Sequence, residues 1–220
     1  GDVWGWEDKI ADRYSCAIEA YDPTRNLRSK HEAHAHKHVR FHYAGLGAQR
    51  NNVTAAAAEQ RAAAAAAVAG GSGGTQNWYG EVDPRVLTTL EDMIVADGRR
   101  GSVDVLKVDC EGCEWAAFEQ IARDSPRLLE GTSLVLLEVH ITPTLIAPTL
   151  AQFNGLFDFL IDRLGFRVWY MRNNVGYKRD RHVVDFLAAH GAKADQCCYE
   201  FAFVHPTVAR GLARRLAEAQ

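Results

Sequence analysis

Val103-Asp104-Val105-Leu106-Lys107-Val108-Asp109-Cys110-Glu111-Gly112-Cys113-Glu114-Trp115 is an apolar run that breaks off into carboxylates around a glycine. Val103, Val105, Leu106 and Val108 have the β-branched and aliphatic character of a strand buried on both faces, and Trp115 to Ile121 reads as a helix. In an open parallel sheet, ligands sit beyond the carboxyl ends of the strands. The order strand, acid, helix therefore puts Asp109 and Glu111 at a rim where chemistry is done. The competing reading is a solvated turn and helix start, because acids favour the first turn of a helix. Glu114 suits that reading best.

Further strand-like runs flank this stretch: Ala17 to Tyr21, Val39 to Tyr43, Leu134 to Val139, Phe166 to Met171 and Tyr199 to Val204. Helix-like stretches lie between several of them, at Glu7 to Arg13, Val86 to Ala96 and Leu150 to Leu164. Such alternation predicts βα units around a mostly parallel sheet with helices on both faces. The last two strands break the rhythm. They are joined by a polar segment, Arg172 to Gln196, with a short helix expected over Val183 to His190, and they read as a pair closing one edge, with an antiparallel edge strand.

At 220 residues the chain fits one ordinary domain, residues 1–220, with a core of fair size. A net charge of -3 supplies no field to recruit nucleic acid, so no nucleic-acid partner is expected. No apolar stretch reaches the roughly 20 residues that span a bilayer. The chain begins at Gly1 as if in mid-fold, so an upstream strand or address is expected and compartment is left open. Residues 55–74, two alanine runs ending in Gly70-Gly71-Ser72-Gly73-Gly74, read as a low-complexity surface insertion without chemistry.

Five cysteines, Cys16, Cys110, Cys113, Cys197 and Cys198, lack a disulfide-framework spacing. Cys110-Glu111-Gly112-Cys113 is formally a C-x-x-C that would suit zinc or redox work, but no second C-x-x-C accompanies it, and buried free thiols are the expected state. His31, His34, His36 and His38 are dense enough to invite a metal reading. A polar, lysine-bearing loop before the strand at Val39 is the favoured one.

Near the start, Gly1-Asp2-Val3-Trp4-Gly5 precedes a helix and then Cys16-Ala17-Ile18-Glu19-Ala20-Tyr21-Asp22-Pro23, a strand closed by an acid. An acid about 20 residues after a glycine-bearing turn is placed to accept hydrogen bonds from ribose hydroxyls. Asp22-Pro23 is equally a good turn.

Tyr21-Asp22-Pro23, Phe41-His42-Tyr43-Ala44-Gly45-Leu46, Leu87-Thr88-Thr89-Leu90 and the Asp104 to Trp115 stretch, taken in order, resemble the S-adenosylmethionine-dependent methyltransferases of the FkbM-like group, and look closest to its methyltransferase-like 24 branch. Leu-Lys-Val-Asp-x-Glu-Gly-x-Glu-Trp is the most specific part. Leu136-Leu137-Glu138-Val139-His140 and Cys197-Cys198-Tyr199-Glu200 agree with it. The resemblance implies an α/β, Rossmann-like methyltransferase fold, with the first strand missing from these residues. It implies S-adenosylmethionine as cofactor, with Gly1, Asp2 and Glu7 near its methionine part, Asp22 on the ribose, Gly45 and Leu46 near the adenine, and Asp109 at the methionyl end. The acceptor it implies is a hydroxyl of a small molecule or glycan.

Such a hydroxyl is a poor nucleophile while protonated, so a base is expected. His140 is the first choice because imidazole titrates near neutrality, with Glu111 or Glu138 sharing the work. Asp109, Glu111 and Glu138 could instead hold a divalent cation, and the sequence does not decide this. Two rival readings are a catalytically silent Rossmann-like binding module and a nicotinamide-dependent oxidoreductase. The second leaves the Asp-x-Glu-Gly-x-Glu-Trp cluster unexplained. Acceptor specificity would fall to loops at Ile141 to Pro148 and Arg172 to Arg181, and oligomeric state is not readable.

Overall fold

A computed structural model describes residues 4–49, 76–77, 80–98, 103–141, 148–174, 184–185, 188 and 198–218. Gly1, Asp2, the low-complexity stretch 55–74, Cys197 and most of the two specificity loops and of the helix expected at Val183 to His190 lie outside them. The described residues hold mixed α and β structure in two compact units, Gly1–Thr88 and Thr89–Gln220.

In the first unit, helix α1 (Gly5–Tyr14) leads into strand β1 (Ile18–Tyr21), and a short helix α2 (Arg28–Glu32) leads into β2 (Val39–His42). Strands β1 and β2 pair in parallel from Ile18 opposite Val39 to Tyr21 opposite His42. Strand β3 (Gly45–Leu46) pairs in parallel with β6 (Leu87–Thr88), and the two-residue strands β4 (Gln76–Asn77) and β5 (Gly80–Glu81) pair with each other. The expected helix at Val86 to Ala96 is shorter: Pro84–Val86 forms a 3-10 turn and Leu87–Thr88 is extended, so the α-helix begins only at Leu90.

Gly45 occupies a place where a side chain cannot fit. A Cβ there would lie 2.5 Å from Pro23 Cγ and 2.7 Å from Leu87 Cδ2. The absence of a side chain lets the turn after β1 pack directly on β3. Gly45→Ala is expected to cost about 1–3 kcal/mol through overpacking, read as a lower urea midpoint at unchanged slope. An unaltered midpoint would mean that Pro23 gives way.

The histidine-rich segment is partly helical rather than a loop, and its rings find separate partners. His34 Nε2 lies 2.9 Å from Asp8 Oδ1 and stacks on Trp4, while His36 Nε2 lies 3.1 Å from Asp12 Oδ1. His31 is buried, 3.2 Å from Asp22 Oδ2. Asp8 and Asp12 are one helical turn apart on α1, which sets them on one face toward the segment.

In the second unit, α3 (Leu90–Ala96) precedes β7 (Val105–Val108), α4 (Cys113–Asp124) and β8 (Leu134–Val139). Next come α5 (Leu150–Phe157), continued by a π-helical stretch Asp158–Arg163, then β9 (Arg167–Asn173), β10 (Tyr199–Val204) and α6 (Pro206–Glu218). The sheet order is β7-β8-β10-β9. Strands β7 and β8 are parallel, joined through α4, while β10 runs antiparallel to both β8 and β9. The antiparallel strand is thus not at the edge as expected. It sits one place inside, and β9 takes the edge.

Burial along β8 alternates, with Val135, Leu137 and Val139 each about fully buried, and α4 buries Ala117, Phe118 and Ile121 at helical spacing. Strand β7 corrects the expectation of burial on both faces. Leu106 and Val108 are buried, but Val105 and Lys107 are exposed, so among the described residues β7 is covered on one face only. Among the described residues, no helix is long and apolar enough to cross a membrane.

Candidate active site

The parallel register decides what meets at the strand tips. Val108 lies opposite Leu137, so the chain leaves β7 at Asp109 beside Glu138. Glu138 and His140 are two residues apart at the end of β8 and so share a face. After Asp109 the chain turns sharply into α4, through Glu111 at φ 57° and Gly112 at φ 106°. Left-handed backbone comes naturally to the glycine and is uncommon for the glutamate.

The first turn of α4 then grips His140 on three sides. Glu114, with no exposed surface, accepts from the His140 backbone N–H at 2.7 Å and lies 3.2 Å from its Nδ1 through the same Oε1. Its other oxygen accepts from Gly112 N at 2.9 Å. The Trp115 indole N–H donates to the His140 carbonyl at 2.9 Å. Glu114 is thus the residue that sequence reasoning left out of the site. Its position in the first helical turn left a solvated acid as the competing reading, and the fold of the 109–114 loop turns it inward.

His140 is itself 2% exposed, and its Nε2 faces the remaining acids. Glu111 Oε2 lies 3.2 Å away, and Asp109 Oδ1 and Glu138 Oε1 are each at 3.8 Å. The Glu111 oxygen is buried and meets the His140 ring as an ion-pair partner, short of strict hydrogen-bond geometry. Asn174 Nδ2 donates to Glu138 at 3.1 Å. On the neighbouring strand Glu200, opposite Glu138, is held by Arg172 through two bonds of 2.7 and 2.9 Å.

These surroundings set the protonation states. Burial works against a charged His140, but the Glu111 and Glu114 carboxylates outweigh it, and its pKa stands well above 6.5. The two carboxylates therefore favour the imidazolium form of the ring. Burial pushes Glu111 up, with Asp109 and Glu114 adding to the rise and His140 opposing it. Burial and the neighbouring Asp109 push Glu138 up to about 7, against the pull of His140 and Asn174. A carboxyl poised near neutrality stands beside a fixed cation, an arrangement suited to accepting a proton.

Cysteine chemistry departs from the expected free thiols. Cys110 and Cys113 are joined in a disulfide, since the two-residue turn between them brings their Cα atoms to 5.4 Å. Cys198 is also disulfide-bonded, and Cys16 is an exposed free thiol.

Of the residues assigned from sequence, Asp109, Glu111, Glu138 and His140 come together in the second unit. In the first unit, Asp22 follows β1, one of its carboxylate oxygens accepting from Thr24 N at 2.8 Å, and Gly45 packs against the adjoining Pro23. Leu46 completes β3, and Glu7 lies in the first turn of α1.

Residues 6–168 match the Methyltransferase FkbM domain. This chain is a methyltransferase by class. It belongs to the FkbM methyltransferase family. No curated protein and no solved structure matches it.

Proposed function

We propose that this chain is an S-adenosylmethionine-dependent O-methyltransferase acting on a hydroxyl of a small molecule or glycan, with the methyltransferase-like 24 branch as its nearest kin. The parallel β7-α4-β8 unit, ending in acids, supports that reading. One observation carries it furthest: Glu138, with its pKa near 7, beside the His140 imidazolium at a strand tip.

The residues present suit a cationic sulfonium nucleoside. Asp22 is partly exposed after β1 with lone pairs left for ribose hydroxyls, and Asp109 is the most exposed acid at the tip of β7. When bound, S-adenosylmethionine would supply a methyl group open to in-line attack, the sulfonium sulfur leaving with the S–CH3 bonding pair as a neutral thioether. Glu138 takes the proton of the acceptor hydroxyl as the oxygen attacks, and is matched to that task because its pKa lies near working pH. His140 stays protonated and keeps the crowded carboxylates compatible. In this proposal it holds the base in place, and Glu138 is the proton acceptor, with Glu111 a second carboxyl on the same ring.

Scanning calorimetry of the full chain with S-adenosylmethionine tests the reading. A ligand at about 100 times its Kd stabilises by about 2.7 kcal/mol, which is roughly 5–10 °C in Tm for a chain of this size. Asp22→Ala and Asp109→Ala are each expected to remove most of that shift. No shift for the folded wild-type protein would sink the assignment. A shift without methyl transfer to any hydroxyl acceptor would favour a silent binding module, and protection by a nicotinamide cofactor instead would favour an oxidoreductase.

A further inference from the structure

We propose that Cys110 and Cys113 form a reversible dithiol–disulfide site that takes electrons from a dithiol reductant, and that its state sets how Glu111 is held against His140. The two cysteines occupy the unspecified positions of the Asp-x-Glu-Gly-x-Glu motif, so the motif itself does not require them. Both are half-buried, which leaves the disulfide within reach of an attacking thiolate.

The bridge closes a ring of four residues that contains Glu111 and Gly112, both left-handed. A non-glycine residue in that region is held there by its surroundings, at a cost of about 1–3 kcal/mol. Three restraints act on this turn: the disulfide, the Cys113 N to Cys110 O hydrogen bond at 3.3 Å, and the Gly112 N bond to Glu114. The last fixes Gly112 and would survive reduction. Glu111 has no backbone anchor of that kind: its buried Oε2 is held by the His140 ring alone, 3.2 Å from Nε2, in a contact that falls short of hydrogen-bond geometry. Burial disfavours its charge as well. Opening the ring therefore frees the strained Glu111 backbone to draw its carboxylate away from the ring, leaving His140 with Glu114 at Nδ1 and with Asp109 and Glu138 at Nε2.

In the reduction, a thiolate of the reductant attacks Cys110 Sγ and forms a mixed disulfide as the Cys110–Cys113 bond breaks. Cys113 leaves as a thiolate at the first position of α4, where the helix N-terminus favours negative charge, and takes up a proton. The second thiol of the reductant then attacks its own sulfur in the mixed disulfide. It closes a cyclic disulfide and frees Cys110, which is protonated in turn. Two electrons and two protons pass from one dithiol to the other.

The test uses the full chain equilibrated across reduced-to-oxidised dithiothreitol ratios, with thiols located by alkylation and peptide mass spectrometry and His140 followed by NMR titration. The expected result is a reversible two-electron transition mapped to Cys110 and Cys113. On reduction the His140 midpoint falls by about one unit or more, as befits loss of a carboxylate within contact distance. Cys110→Ser/Cys113→Ser should titrate like the reduced protein and ignore the reductant. Because Cys198 is also disulfide-bonded, a reductant response that persists in that variant would place the effect elsewhere and overturn the proposal. So would a bond that cannot be reduced in the folded protein, or a His140 midpoint that does not move. Should the double variant not fold, alkylation and titration of the wild-type chain decide alone. These readouts do not depend on methyl transfer, so the site stands or falls apart from the proposed activity.

Discussion

Glu114→Ala is expected to lose about 3–5 kcal/mol, the cost of breaking a buried ion pair by removing one partner. The substitution leaves His140 N, His140 Nδ1 and Gly112 N without their acceptor at the buried side of the site. Since whole domains are stable by only about 5–15 kcal/mol, little folded protein should survive moderate denaturant. Glu114→Gln keeps the shape and one acceptor oxygen but puts an amide donor where a carboxylate oxygen was, and should fall between. Urea melts of the three proteins measure this. A Glu114→Ala loss below about 1 kcal/mol would show that water or another acid replaces the carboxylate.

Glu138→Gln should separate stability from activity. Methyl transfer is expected to fall by about 10²–10⁴-fold, the usual share of a general base. Stability at pH 8 is expected to rise by about 2 kcal/mol, since one pKa unit corresponds to about 1.4 kcal/mol and the site is partly open to solvent. The sign follows from the shift. Glu138 holds its proton up to about pH 7 in the folded protein, against a usual value of 4.5, so the folded state binds more protons between those limits. Wild-type stability therefore falls as pH rises from about 4.5 to 7, and the cost is fully present above that range. Glutamine carries no such cost, and it can still accept from Asn174. The two proteins should match at pH 4 and diverge by pH 8, while wild-type activity climbs with a midpoint near 7. Full activity in Glu138→Gln would remove the carboxyl from the mechanism.

Local periodicity carried much of the fold. Leu134 to Val139 and Tyr199 to Val204 are strands over the spans that β-branched and aromatic residues suggested. Leu150 to Leu164 is helical almost to its end, started by a capping box between Thr149 and Gln152. The C-terminal helix at Pro206–Glu218 went unread, although proline at a first helical position and the alanines and arginines after it were the available signal. Sheet order was less accessible than strand existence. The placement of β10 inside β9 depends on pairings across long stretches of chain that no short pattern encodes.

In the site, strand-end acids were legible because a strand ending in carboxylates is locally anomalous. Their grouping around His140 was not, because it needs the β7-β8 register and the inward turn at Gly112. The protonation of His140 lay further still from the sequence. An isolated histidine titrates near 6.5, and only four carboxylates brought to one ring make it a standing cation.

Long-range proton–nitrogen NMR of the His140 imidazole from pH 5 to 9, in the disulfide form, bears on that cation most directly. Both ring nitrogens should remain protonated well above pH 6.5 while a carboxyl beside them titrates near 7. A ring that sheds its proton at or below pH 6.5 would contradict the carboxylate cage and return the base role to histidine.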